Sequence, residues 1–207
     1  MQSETYVKIL AYTPEPENVV AIAMRQSRFA GGVRSLNLDQ SEVKRLIELA
    51  MSLGHFSVFE HVSFTFAVEG ISRSCSHQFV RHRFFSFTQQ SQRYVKYKGI
   101  DYILPPSIQE NSEASAIFDE TVRLIEQAYK KLLELKIPAE DARFVLPNAT
   151  ETKMVATANA RELMHFFKLR LDEHAQWEIR GLARIMFSEV SAICPNIFNE
   201  YNISRFE

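Results

Sequence analysis

The residues able to do chemistry crowd into one stretch of this 207-residue chain. Arg81-His82-Arg83 is followed after seven residues by Ser91 and then by Arg93, with His77 and Gln78 just upstream. The guanidinium of arginine is planar, permanently charged and able to grip phosphate through two parallel N–H donors. Several arginines converging on one place therefore suit a phosphorylated ligand. Phe84, Phe85 and Phe87 interleave with these charges, and the plainer reading of the same residues is a solvated charged turn beside a buried aromatic stripe. Ser91 is a weak nucleophile without an activating base, and nothing in the sequence assigns a base to it. It reads as a hydrogen-bonding ligand residue.

Other chemistries lack their residues. There is no G-x-G-x-x-G or G-x-x-x-x-G-K, so phosphates must be held by arginines and helix ends rather than by a glycine-rich loop. His55 with Glu60-His61 superficially suggests a metal, but Ser57 stands where H-x-x-E-H needs its first histidine, and no metal is expected. The 24 basic and 25 acidic side chains nearly cancel, giving no electrostatic reason to expect a nucleic-acid or membrane-surface binder. Cys75 and Cys194 fit neither a disulfide framework nor paired zinc spacing; two free thiols and a start without signal-peptide character point to the cytoplasm. No apolar run reaches the roughly 20 residues that span a bilayer. The Asn148-Ala149-Thr150 sequon is read as chance.

The elements that must position the cluster are legible in part. Residues 6–11 are rich in β-formers and end at Thr13-Pro14-Glu15-Pro16, so a strand is expected, then a helix. Asp39 and Glu42 resemble a capping box, with Val43, Leu46, Ile47, Ala50 and Leu53 at helical spacing until Gly54. Residues 61–69 place Val62, Phe64, Phe66 and Val68 on one side of a strand. Pro105-Pro106 and the polar run through Ser115 read as a loop, and residues 114–135 as a long amphipathic helix closed before Pro138. Asn159 with Glu162 caps a helix running through Arg170, and Leu182, Ile185, Met186, Val190 and Ile193 mark another. The expectation is a single α+β domain over residues 1–207, a small mostly antiparallel sheet packed against several helices including a long central one.

Several separate segments then converge on one family. The RHR-x7-S arrangement from Arg81 to Ser91, continued by Gln92-Arg93-Tyr94, resembles the signature of the flavin-dependent thymidylate synthases. Residues 54–61 (GHFSVFEH), Asn159-Ala160-Arg161-Glu162-Leu163, and Leu169-Arg170 leading to His174-Ala175-Gln176-Trp177-Glu178 are similar to further stretches of that family, in the same order. The resemblance implies flavin contacts at Ser57, Arg81, His82, Arg83, Gln89, Asn159, Ala160, Arg161 and His165. It implies deoxyuridylate contacts at Gln78, Phe79, Val80, Arg81, Gln89, Gln90, Ser91, Gln92, Arg93, Arg143 and Arg170. Arg170 would be the catalytic group, stabilising negative charge at N3 of uracil and its neighbouring carbonyl so that C5 becomes more nucleophilic. Some members carry an acid where this chain has Gln89. Residue chemistry agrees at α-helix ends: Asn159 and Arg161 sit at an expected N-terminus, where free N–H groups and the dipole favour an anion, and Arg161 and His165 share a face.

The resemblance further implies FAD as cofactor, NADPH and methylenetetrahydrofolate as co-substrates, and a homotetramer with sites shared between subunits. Neither cysteine lies in a segment resembling the active site of the cysteine-dependent thymidylate synthases. Two other readings use the same residues. A single-stranded nucleic-acid binder would track phosphates with Arg81, Arg83, Arg93, Lys96 and Lys98 and stack bases on Phe87, Tyr94 or Tyr97. A flavin reductase would oxidise NADPH without methyl transfer.

Overall fold

The structure, a computed structural model, describes residues 4–27, 29–33, 37–97 and 99–206. In chain order the elements are β1 (Tyr6–Tyr12), α1 (Pro16–Gln26), α2 (Gln40–Ser52), a 3₁₀ segment (Phe56–His61), β2 (Ser63–Ser72), α3 (Arg73–Phe79) and β3 (Ser86–Gln89). Then come α4 (Pro106–Gln109), α5 (Ser112–Glu134), α6 (Ala139–Ala142), a 3₁₀ turn (Arg143–Val145), β4 (Glu151–Asn159), α7 (Ala160–Arg170), α8 (Trp177–Ile193) and α9 (Glu200–Arg205). The four strands form an antiparallel sheet in the order β1-β2-β4-β3, and the fold is α+β.

The described residues group into two compact units, one drawn from the ranges 4–6, 68–81 and 88–154, the other from 7–67, 82–87 and 155–206. The second unit carries α1, α2, α7, α8 and α9. Its core follows from sequence periodicity. Val62, Phe64 and Phe66 alternate inward and are fully buried, as are Leu163, Phe166 and Phe167 on α7. Phe198 meets Phe64 and Phe167 edge-on at 5.8 Å each. Each buried phenylalanine contributes about 1.5–3 kcal/mol relative to exposure.

Helix ends are fixed as the residue types require. Asp39 accepts from the Glu42 N–H, and α2 stops where Gly54 adopts φ +67° while His55 N–H returns to Ala50 O and Gly54 N–H to Met51 O. Leu53 therefore lies past the last helical turn and is exposed rather than inward. Asn159 caps α7 by accepting from Glu162 N–H at 2.9 Å.

Two features of the first unit differ from the sequence reading. The stretch from Pro105 to Ser115 is not a loop throughout. Pro106, with its preset φ, opens α4, and Asn111 accepts from Glu113 and Ala114 N–H groups to start α5 two residues early. The long helix α5 buries only Val122 and Tyr129, leaving Ile117 and Leu124 exposed. Its amphipathic stripe is otherwise half-buried, at Phe118, Ile125, Leu132 and Leu133.

Candidate active site

Helix α7 builds one site from residues four apart. Glu162, Phe166 and Arg170 recur at i, i+4 and i+8 and so share a face. His82, only 5% exposed, lies across them. Its ring meets Phe166 edge-on with centroids 4.9 Å apart, and Phe85 at 6.0 Å. The Nε of Arg170 donates to Nε2 of His82 at 3.0 Å, and Oε1 of the buried Glu162 lies 3.5 Å from Nδ1. The expected catalytic arginine is thus tied to a buried imidazole. With both ring nitrogens turned toward protein groups, His82 keeps only ring edge and main chain for a flavin.

Of the expected flavin set in this unit, Asn159, Ala160 and Arg161 lie at the start of α7. The Arg161 guanidinium pairs with Glu60 of the 3₁₀ segment at 2.5 Å, both half exposed, and exposed Ser57 belongs to the same segment. His165 is exposed one turn on, its ring 6.0 Å from that of His82. The helix end is less open than the sequence implies: Ala160 N–H donates to Val62 O and Glu162 N–H to Asn159, which leaves Arg161 N–H for an anion. Ala160, fully buried, has no side-chain surface to offer. Arg83 is exposed and, among the described residues, makes no ion pair.

The first unit assembles part of the expected nucleotide set. Glu140 gathers two arginines: its carboxylate pairs with Arg93 at 2.5 Å, and its main-chain oxygen accepts from Arg143 Nε at 3.0 Å. The Ser91 hydroxyl accepts from Arg93 N–H at 3.2 Å, a turn-forming bond that gives it no base. Gln89 donates to Thr152, Gln90 is bonded through both main-chain groups (to Lys153 O and from Arg73), and Gln92 is half buried beside them. Ser72 caps α3, whose C-terminal end carries Gln78, Phe79, Val80 and exposed Arg81. Phe79 is fully buried, so only its main chain is available to a ligand. The signature thus divides, with Arg81 and Gln89 to Arg93 in one unit and His82 to Phe87 in the other.

From the sequence Glu162 reads only as part of a helix cap, although its spacing to Arg170 already puts both on one face; the structure sets its carboxylate 3.5 Å from His82.

The aromatic residues of the nucleic-acid reading are partly committed elsewhere. Phe87 stacks on Phe85 with planes 9° apart, and Tyr97 packs on Tyr129 at 6.3 Å; Lys98 lies outside the described residues. Tyr94 is exposed beneath the Arg93 guanidinium. Among the described residues no three metal-binding side chains converge, and no helix is long and apolar enough to cross a membrane.

Cys75 and Cys194 are fully buried free thiols. Burial, helped by the charge of Glu17, pushes the Cys194 thiol up to about 12, so it holds its proton at neutral pH and is a poor nucleophile. Iodoacetamide at pH 8 should leave the native enzyme active while labelling free cysteine; rapid stoichiometric inactivation would show a reactive thiol instead.

The chain is similar to known proteins along nearly its whole length. A family model described as thymidylate synthase complementing protein (Thy1) matches residues 8–196. The flavin-dependent thymidylate synthase of Geobacter sulfurreducens is 48% identical over 198 residues, covering 94% of this chain and 85% of that protein. That of Clostridium tetani is 48% identical over 210 residues, covering 93% and 84%. Among solved structures, the UMP/dUMP methylase PolB from Streptomyces cacaoi, bound with 5-Br dUMP, superposes with a TM-score of 0.87 at 26% identity, covering 99% of this chain and 97% of that one. Matched over this length by both the family model and relatives close to half identical, the chain belongs to the flavin-dependent thymidylate synthase family.

Proposed function

We propose that this enzyme converts dUMP to dTMP, with methylenetetrahydrofolate as carbon donor and NADPH as reductant, through bound FAD. The observation that carries the reading is the junction of Arg170 with buried His82. A guanidinium anchored through Nε keeps its remaining N–H donors for a ligand, which suits the negative charge that develops at N3 of uracil and its neighbouring carbonyl. Stabilising that charge raises electron density at C5, where the new carbon bonds.

Arg93 and Arg143, held together by Glu140, supply the forked donors that a nucleotide phosphate needs. Gln78 offers an amide that both donates and accepts, as a uracil edge requires. The flavin set passes a chemical test of fit: Arg161 with its N–H at the α7 N-terminus, exposed Ser57, Arg83 and His165 are donors suited to a dinucleotide diphosphate. Bound FAD would supply the two-electron chemistry that no side chain here provides. Family membership suggests a homotetramer with shared sites, to which exposed Ile117 and Leu124 of α5 could contribute apolar contact, and two buried free thiols suit the cytoplasm.

The test measures release of the C5 hydrogen of dUMP by flavin-loaded protein given methylenetetrahydrofolate and NADPH. Release that depends on all three is expected, together with a yellow protein that bleaches with NADPH. NADPH oxidation without release would mean a flavin reductase. Salt-sensitive oligonucleotide binding by a colourless protein would mean a nucleic-acid binder.

A further inference from the structure

We propose that Glu162 and His82 are positioning residues for Arg170, a carboxylate–imidazole pair that fixes where the guanidinium points. The proposal rests on the reading of Arg170 as the group that activates uracil. Guanidinium has five N–H donors and no acceptor, so the 3.0 Å contact from Arg170 Nε requires Nε2 of His82 to carry a lone pair. The imidazole is then neutral, with its proton on Nδ1. The group facing Nδ1 is Oε1 of Glu162 at 3.5 Å, itself buried and sharing the α7 face with Arg170. That contact is long for a hydrogen bond, yet it places a negative charge on the side that must hold the proton.

The opposite tautomer would turn an N–H toward an N–H and push Arg170 away. Glu162 therefore acts on Arg170 through the choice of tautomer, and the edge-on packing of the ring against Phe166 and Phe85 limits its rotation. His165, 6.0 Å from the ring, is exposed and is the other histidine bordering it. Glu162 is free for this task because its role in the helix cap is played by its main-chain N–H alone. A capping box would instead send its carboxylate back to the Asn159 N–H. The site uses half of that motif as structure and half as chemistry.

The test is a cycle of four flavin-loaded proteins: unaltered, Glu162→Ala, Arg170→Ala and the double variant. Each is measured for C5-hydrogen release and for the dissociation constant of dUMP. Glu162→Ala should lower turnover on the order of 10- to 100-fold, the scale expected when a catalytic group is displaced by about an ångström. In the Arg170→Ala background the same change should alter neither turnover nor dUMP affinity further. Glu162→Gln, whose amide oxygen still accepts from Nδ1, should recover most of the activity and keeps the test open if the alanine variant folds poorly. Equal fold-losses in both backgrounds, or a glutamine variant no better than alanine, overturn the proposal. Near-normal turnover by Arg170→Ala alone would remove Arg170 from the chemistry, a failure distinct from that of the pair.

Discussion

Replacing Arg170 with alanine should lower turnover by about 100- to 1,000-fold, the range seen when a single preorganised donor to a developing anion is removed. Turnover is compared at equal flavin loading, because Arg170 is bonded to His82, itself matched to a flavin contact. The loss should appear in turnover more than in dUMP affinity, since negative charge at the uracil ring grows toward the transition state. Lysine should not restore it. An ammonium has no Nε to anchor on His82 while presenting further planar donors, so charge alone is not the missing property. The check is steady-state kinetics with C5-hydrogen release as the readout, alongside the visible flavin spectrum. A turnover within a few-fold of the unaltered enzyme would mean that another group activates uracil.

What the sequence discloses about this site depends on whether a residue's role is periodic or singular. The inward row of β2 is legible because Val62, Phe64 and Phe66 alternate with more polar residues. The caps at Asp39 and Asn159 are legible because few side chains can satisfy a helix's first N–H groups. Strand β4 hides because its buried positions include Thr150, Thr152, Ala156 and Ala158 nearby or within it, small or polar residues that carry little hydropathy signal. Strand β3 hides inside the charged, aromatic signature, and α3 lacks a long apolar stripe. The signature names the family, but its sequence order conceals that His82 is bonded to Arg170, 88 positions later. No local pattern reports that pairing, because the bond joins two segments that tertiary packing alone brings together.

The second large effect concerns stability. Gly70→Ala should destabilise the protein by about 3 kcal/mol or more, from two independent causes. Gly70 has φ +68°, a region that costs an L-residue roughly 1–2 kcal/mol. A Cβ there would stand 1.9 Å from the main-chain oxygen of Glu4 and 2.6 Å from its carbon. Backbone cannot swing aside as a lysine tip would, and relieving such overlap typically costs about 1–3 kcal/mol more. The site of the clash is also bonded on both sides: Thr5 Oγ1 donates to Gly70 O at 3.2 Å, and Gly70 N–H donates to the buried carboxylate of Glu151 at 3.1 Å. Moving the strand would weaken the support of that buried carboxylate, which adds to the cost rather than relieving it. For a chain of this size the loss corresponds to a fall in Tm of about 6–12 °C, measurable by thermal unfolding of the flavin-loaded protein. The in-and-out alternation of β2 ends at Gly70, after which Ile71 and Ser72 are both buried and Ser72 caps α3, the helix that leads to Gln78 and Arg81. The same variant should therefore bind dUMP more weakly even below its melting range. A Tm within about 2 °C of the unaltered protein would mean that the Glu4 segment yields freely, and that the positive φ at position 70 does not depend on the absence of a side chain.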